Sequence, residues 1–167
     1  MGNAPRKLGE VPDEHTGLTE AEMVLVQESW RSFCDHYRDY GVLIFLSMFA
    51  KHPEYLPMFL NFRAHGCSIG YHVTSMVESL GDPPSLEVLV RRNATEHLRR
   101  KGVKPHHFEV LGGCLVAVLQ STEEKLMTPA AVEGWQKFLK CMLALIKDVF
   151  DKAAARAERG APRGTRR

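Results

Sequence analysis

Several features that would place this sequence in a common functional class are missing from it. The longest run without a charged residue, positions 64–77, has 14 residues, whereas a helix needs roughly 20 apolar residues to cross a bilayer. The four cysteines stand far apart and form no C-x-x-C pair, which excludes a disulfide framework and a structural zinc site of that type. The first fifteen residues lack the apolar segment of a secretory signal. We therefore predict one cytoplasmic domain with reduced thiols.

The net charge is small, and the common catalytic motifs are absent. The sequence has no H-E-x-x-H, no G-x-S-x-G and no glycine-rich phosphate loop, so zinc proteases, serine hydrolases and nucleotide-binding folds lack their motifs. The net charge is only +2, and residues 156–167 carry five arginines against one glutamate, which leaves the remaining 155 residues at −2. A solvated basic tail is the simplest interpretation, and we predict no nucleic-acid partner.

What the sequence has instead is helical periodicity. The chain has 167 residues, 44% hydrophobic, and no alternating strand pattern; Val26, Trp30 and Phe33 are typical of its spacing of three and four. Thr19 and Glu22 form a capping box at the start of the first helix. We predict an all-α domain of about six to seven helices over residues 19–152, between a flexible arm at residues 1–18 and a basic disordered tail at residues 153–167. The helices are predicted to start at or beside Thr19, Tyr37, Phe62, Ser85, Pro105 and Thr128.

Histidine is the residue type that could carry chemistry. His97 lies on the apolar face of its helix, where an unpaired imidazole would be costly; a ring satisfied by a backbone carbonyl and a metal ligand both remain open. His65 shares a helical face with Ile69 and His72, at spacings of four and seven. The other five histidines fall at loops or helix ends, where we predict surface positions: His15, His36, His52, His106 and His107.

These residues resemble a known family. The segment from His97 to Phe108 resembles the end of the globin F helix and the start of the G helix, and His65 precedes His97 by 32 residues, as in neuroglobin-like and globin X-like chains. Trp30 is similar to the tryptophan of the first globin helix. Gly41 and Gly66 fall where two globin helices cross at close backbone contact.

The resemblance implies a globin fold and a haem cofactor. His97 would be the proximal ligand of the haem iron, with its second ring nitrogen bonded to a backbone carbonyl. His65 would be the distal histidine, either hydrogen-bonded to a bound gas or itself the sixth ligand of the iron. Oxygen storage, supply or sensing would follow, with O2, CO and NO as ligands. Four further residues would contact the haem: Phe59, Phe62, Ile69 and Val103.

One departure from the family concerns the connection before the distal helix. Only residues 60–64 separate Phe59 from His65, where globins usually have a longer loop. The shortened loop should expose one edge of the haem and weaken its retention. It should also allow Phe62 to cover the haem in place of Phe59.

Two other functions remain open at this point. The same iron could serve an enzyme, as a nitric oxide dioxygenase, a nitrite reductase or a peroxide-consuming catalyst, with a separate protein as electron donor. Alternatively, the chain is a helical interaction module without haem, in which His97 is a satisfied core residue. Membrane contact is expected only if Gly2 is myristoylated, and the myristoylation motif is imperfect because Arg6 stands where it requires Ser or Thr.

Overall fold

All regular structure in the described part of the chain is helical, which confirms the predicted all-α class. The computed structural model describes residue 9, residues 11–59 and residues 62–160, with the backbone alone at residues 62–65 and 160. Two short 3₁₀ helices, Pro53–Met58 and Ser79–Gly81, lie on either side of the third α-helix. The α-helices are α1 (Glu20–His36), α2 (Tyr40–Lys51), α3 (Phe62–Glu78), α4 (Pro83–Leu98), α5 (Pro105–Thr122) and α6 (Pro129–Gly160).

The core forms where α1 and α6 pack together. Trp30 of α1 and Trp135 of α6 are almost fully buried, with ring centroids 6.0 Å apart. The indole nitrogen of Trp135 donates a hydrogen bond of 2.9 Å to Ser29 Oγ, and the indole nitrogen of Trp30 donates one to Thr74 Oγ1, also at 2.9 Å. Both large aromatic residues therefore bury their rings while keeping their polar atoms bonded.

Helices α2 and α3 cross at two glycines. A Cβ atom added to Gly41 would overlap the carbonyl oxygen of Gly66, and one added to Gly66 would lie 2.9 Å from the backbone nitrogen of Val42. Glycine inside a helix lowers stability by about 1 kcal/mol relative to alanine. Here it is required because the two backbones are too close for a side chain. The close crossing expected from the family resemblance is confirmed.

Two predicted helix starts are wrong. α2 begins at Tyr40 rather than Tyr37, because Tyr37 is extended and caps the end of α1 with an N–H bond to the Phe33 carbonyl. α4 begins at Pro83, and its cap is Asp82, whose side chain accepts from the Ser85 nitrogen at 3.3 Å. Proline suits a first helical turn because the N–H groups of that turn have no intrahelical partner, so Pro83 and Pro84 form the first turn of α4.

The described structure continues on both sides of the predicted helical body. Within the predicted arm, Asp13 accepts hydrogen bonds from the backbone nitrogens of His15 and Thr16, and Leu18 is fully buried in the core. At the other end, α6 continues eight residues past Lys152 to Gly160. Residues 1–8 and 161–167 of the predicted arm and tail lie outside the described residues.

Candidate functional site

A cavity of about 490 Å³ lies among α2, the first 3₁₀ helix and α3 to α6. Its wall is mainly apolar, and it includes Phe45 and Met48 of α2, Val73 and Met76 of α3, and Leu115 of α5. A volume of this size and a lining with few polar groups are typical of pockets that hold an organic cofactor.

His97 contributes the most distinctive polar group of this wall. It lies in the last turn of α4, one turn after the buried Ala94, so the apolar face of the helix turns it inward. Its Nδ1 lies 2.8 Å from the carbonyl oxygen of Asn93. A carbonyl oxygen only accepts hydrogen bonds, so Nδ1 carries the proton and Nε2 keeps its lone pair. Burial lowers the pKa of His97 below its ordinary value of 6.5, which favours the neutral form that metal ligation requires.

The end of α4 fixes where this imidazole sits. The carbonyl of His97 accepts a hydrogen bond of 3.0 Å from the Arg100 nitrogen, and Gly102 takes a positive φ of 87° as the chain leaves the helix. Pro105 then starts α5, and Phe108 of that helix packs edge-on against the His97 ring at a centroid distance of 5.0 Å. The helix stop and the next helix therefore hold the ring from two sides.

Three of the other predicted site residues line the same cavity: Phe59, Ile69 and Val103. Phe59 packs between Phe45 and Phe49, with centroid distances of 4.9 and 5.5 Å. The structure thus brings residues from three separate segments to one wall with His97. The side chains of Phe62 and His65 lie outside the described residues, so their predicted roles stay predictions.

Two histidines of the wall were not identified as site residues from the sequence. His72 lines the cavity, and its Nδ1 lies 2.7 Å from the Ser68 carbonyl oxygen. Its spacing of seven from His65 was the available signal. His107 was predicted to lie at the surface, but it lines the cavity. Its ring packs edge-on against that of Tyr55, with a centroid distance of 4.9 Å. Its Nδ1 accepts from the Lys104 nitrogen and so caps α5, while burial lowers its pKa.

The residues present fit a haem. A large apolar cavity suits a flat macrocycle, and His97 offers one neutral nitrogen for an iron atom. Arg100 and Lys101 also line the cavity, and their positive charge suits the two carboxylates of that group. Among the described residues, no three His, Cys, Asp or Glu side chains form a cluster that could hold a bare metal ion.

Two further observations concern the sequence predictions. The four cysteines are free, as expected, and they lie on four different helices. Within the ranges that the structure describes, none of the helices combines the length and apolar character needed to cross a membrane. The cytoplasmic location stays a prediction.

Comparison with known proteins gives one consistent result. The sequence model of the globin family, described as "Globin", matches residues 42–146. Cytoglobin-1 of Oryzias latipes is 26% identical, over 88% of this chain and 93% of the relative, and hemoglobin subunit alpha-D of Chelonoidis niger is 27% identical, over 80% and 99%. The anaerobic nitrite reductase NSHB5 of Oryza sativa is 25% identical, over 83% and 99%. A solved structure of a hexacoordinated heme protein from an anhydrobiotic tardigrade has the same fold, with a TM-score of 0.73, 20% identity and coverage of 83% and 99%.

Proposed function

This chain belongs to the globin family, and on that basis we propose that it binds a diatomic gas reversibly at the iron of a haem held by His97. When bound, the haem supplies an iron atom with an axial position for O2, CO or NO. The match with the family model covers most of α2 to α6 and includes His97. Both the haem cofactor and the gas ligand follow from membership of this family.

The hydrogen bond between His97 Nδ1 and the Asn93 carbonyl carries the assignment of the proximal ligand. It fixes the tautomer and the ring plane, and it leaves Nε2 as the only nitrogen of that ring able to bind iron. The low pKa keeps this nitrogen unprotonated near neutral pH. His97 therefore needs no rearrangement of its own hydrogen bond to serve as a ligand.

The other predicted residues would complete the pocket. Phe59 and Val103 supply apolar surface for the faces of the macrocycle, and Ile69 narrows the space beside the gas. We assign the distal position to His65, because α3 carries it one turn before Ile69 on the same helical face. There it would either donate a hydrogen bond to the gas or occupy the sixth position of the iron.

The physiological role that we propose is oxygen storage, supply or sensing. Nitrite reduction is the second candidate, because one relative that aligns over 83% of this chain is an anaerobic nitrite reductase. Such turnover would draw electrons from a separate protein. Consumption of nitrite at a rate that follows the concentration of an added reductant would favour the enzyme, whereas reversible O2 binding without turnover would favour storage or sensing.

Reconstitution with haemin tests the proposal. We expect a sharp Soret band in the parent protein and its loss or broadening in His97→Ala, while His106→Ala keeps it because His106 is exposed. His97→Gly should recover the band when free imidazole is added, since imidazole can occupy the space that the side chain leaves. A parent protein that gives no Soret band, or His97→Ala with an unchanged band, would contradict the assignment.

A further inference from the structure

Two imidazoles on neighbouring helices line the cavity with the same hydrogen-bond arrangement. His97 of α4 bonds through Nδ1 to the carbonyl four residues earlier, at 2.8 Å, and His72 of α3 does the same at 2.7 Å. Since both acceptors are carbonyl oxygens, Nδ1 is protonated in both rings and Nε2 is the free, basic nitrogen. His72 therefore has the tautomer of a metal ligand.

His72 and His97 also line one and the same cavity. His72 lines it from α3 and His97 from α4. In addition, α3 and α4 pack against each other. The two rings thus face one cavity from two helices that are in contact.

The surroundings of His72 give its Nε2 no competing partner within the described residues. Its Nδ1 contacts are with Ser68, at 2.7 Å to the carbonyl oxygen and 3.3 Å to the hydroxyl, and the neighbouring ring of Tyr71 meets it edge-on at 5.8 Å. No described carboxylate forms an ion pair with it, whereas His36 and His52 each have one. The ring is partly buried, and two neighbours on the same cavity wall, Ile69 and Val73, are apolar.

We propose that His72 is an alternative internal ligand of the haem iron, opposite His97. His65 and His72 are separated by seven residues, which places them two turns apart, about 10.5 Å along the same face of α3. Because His97 would take one of the two axial positions of the haem iron, only one of these two histidines could coordinate it at a time. The Nε2 lone pair of His72 would form the bond to iron without electron transfer, and a gas would replace the imidazole.

This inference rests on the proposed function, because it requires a haem held by His97. It changes the expected consequence of losing His65. If His65 were the sole internal ligand, its removal would leave the iron five-coordinate. With His72 available, removal of His65 leaves a six-coordinate fraction that disappears only when His72 is also replaced.

Optical and electron paramagnetic resonance spectra of the reconstituted protein test the inference. The series is the parent, His65→Ala, His72→Leu, the double variant His65→Ala/His72→Leu, and His65→Ala/His106→Ala as the matched control. We expect a low-spin ferric signal and a sharp ferrous α-band in His65→Ala and in the control. Both features should be lost in the double variant. The rate of CO binding should level off at high CO in His65→Ala, because His72 must first leave the iron, and should rise linearly in the double variant.

The outcomes separate this inference from the proposed function. A His65→Ala variant that is entirely high-spin and five-coordinate, or a double variant that stays low-spin, overturns the role of His72 while leaving His97 as the haem ligand. Loss of haem binding in the parent instead contradicts the proposed function. Two controls ensure that a spectral change reflects the missing imidazole: His72→Gln in the His65→Ala background, and far-UV circular dichroism of each apoprotein. The glutamine variant should also be five-coordinate. A glutamine variant that stays low-spin overturns the inference.

Discussion

Gly41 and Gly66 bring the backbones of α2 and α3 into direct contact, with no room for a side chain at either position. A Cβ on Gly41 would lie 2.8 Å from the carbonyl carbon of Gly66 and 3.0 Å from Ile69 Cγ2. The atoms in the way are mainly backbone, which cannot move aside by a change of rotamer. This contact sets the position of α3, and α3 carries both Ile69 and His72 to the cavity.

Gly41→Ala should therefore destabilise the fold by about 3 kcal/mol, in the upper part of the range for overpacked sites. Gly113→Ala is the matched control: this glycine is exposed within α5, and an added Cβ would meet no atom within 4 Å. The control should gain about 0.5–1 kcal/mol from the better helix propensity of alanine. Urea unfolding of the two apoproteins measures both changes. Similar effects at the two positions would refute the crossing as a constraint.

The glycine contact was predictable because the family resemblance fixed the register of both helices. The inward position of His97 was predictable because it follows Leu86, Val90 and Ala94 on one face of α4, all of which are buried. The apolar face of a single helix can be recognised without knowledge of the other helices. They account for the all-α class and for most of the helix starts.

The residues that were missed depend on contacts between segments or on competing local signals. His107 lies beside a proline at a helix start, a typical surface position, and only the packing of Tyr55 against it makes it part of the cavity wall. Asp82 and Ser85 are both good N-caps, and the choice between them depends on whether the two intervening prolines join the helix. His72 shares a face with His65, yet its place on the same cavity wall as His97 depends on the packing of α3 against α4.

Ser29→Ala should destabilise the protein although it removes only one oxygen atom. Ser29 is fully buried, and its hydroxyl accepts the hydrogen bond of Trp135 while donating to backbone carbonyls of α1. Its loss leaves the indole N–H of Trp135 buried without an acceptor, which costs about 1–3 kcal/mol. Thermal unfolding compares it with Ser121→Ala, an exposed serine whose hydroxyl donates within its own helix. The exposed variant should change stability by less than about 0.5 kcal/mol, and equal losses would contradict this account.

Glu22 should make the stability of the apoprotein depend on pH in the acid range. Burial alone would raise the pKa of Glu22, but hydrogen bonds from Lys137, at 2.6 Å, and from Thr19 outweigh it and keep that pKa below 4.5. A depressed pKa means that the unfolded chain binds more protons, so this contribution is complete above about pH 4.5 and is lost as pH falls through the lower pKa of the folded state. Glu22→Gln should cost about 1 kcal/mol at pH 7 and flatten the acid limb. Denaturant unfolding at stepped pH measures the slope, and an unchanged slope in the variant would exclude Glu22 as its source.

Phe59 should control how long the haem stays bound. Its ring lines the cavity and is backed by Phe45 and Phe49, so replacement by alanine removes one apolar wall without touching His97. A loss of about 1.4 kcal/mol of apolar contact corresponds to a tenfold change in affinity, which we expect mainly as faster haem loss. Transfer of haem to an excess of an apoglobin acceptor measures it, with the exposed Tyr71→Ala as control. The parent itself should release haem faster than myoglobin does, because the sequence connects Phe59 to the distal helix by so few residues. If Phe59→Ala and the parent release haem at the same rate, the ring of Phe59 does not cover the haem. Phe62 would then be the residue that covers it.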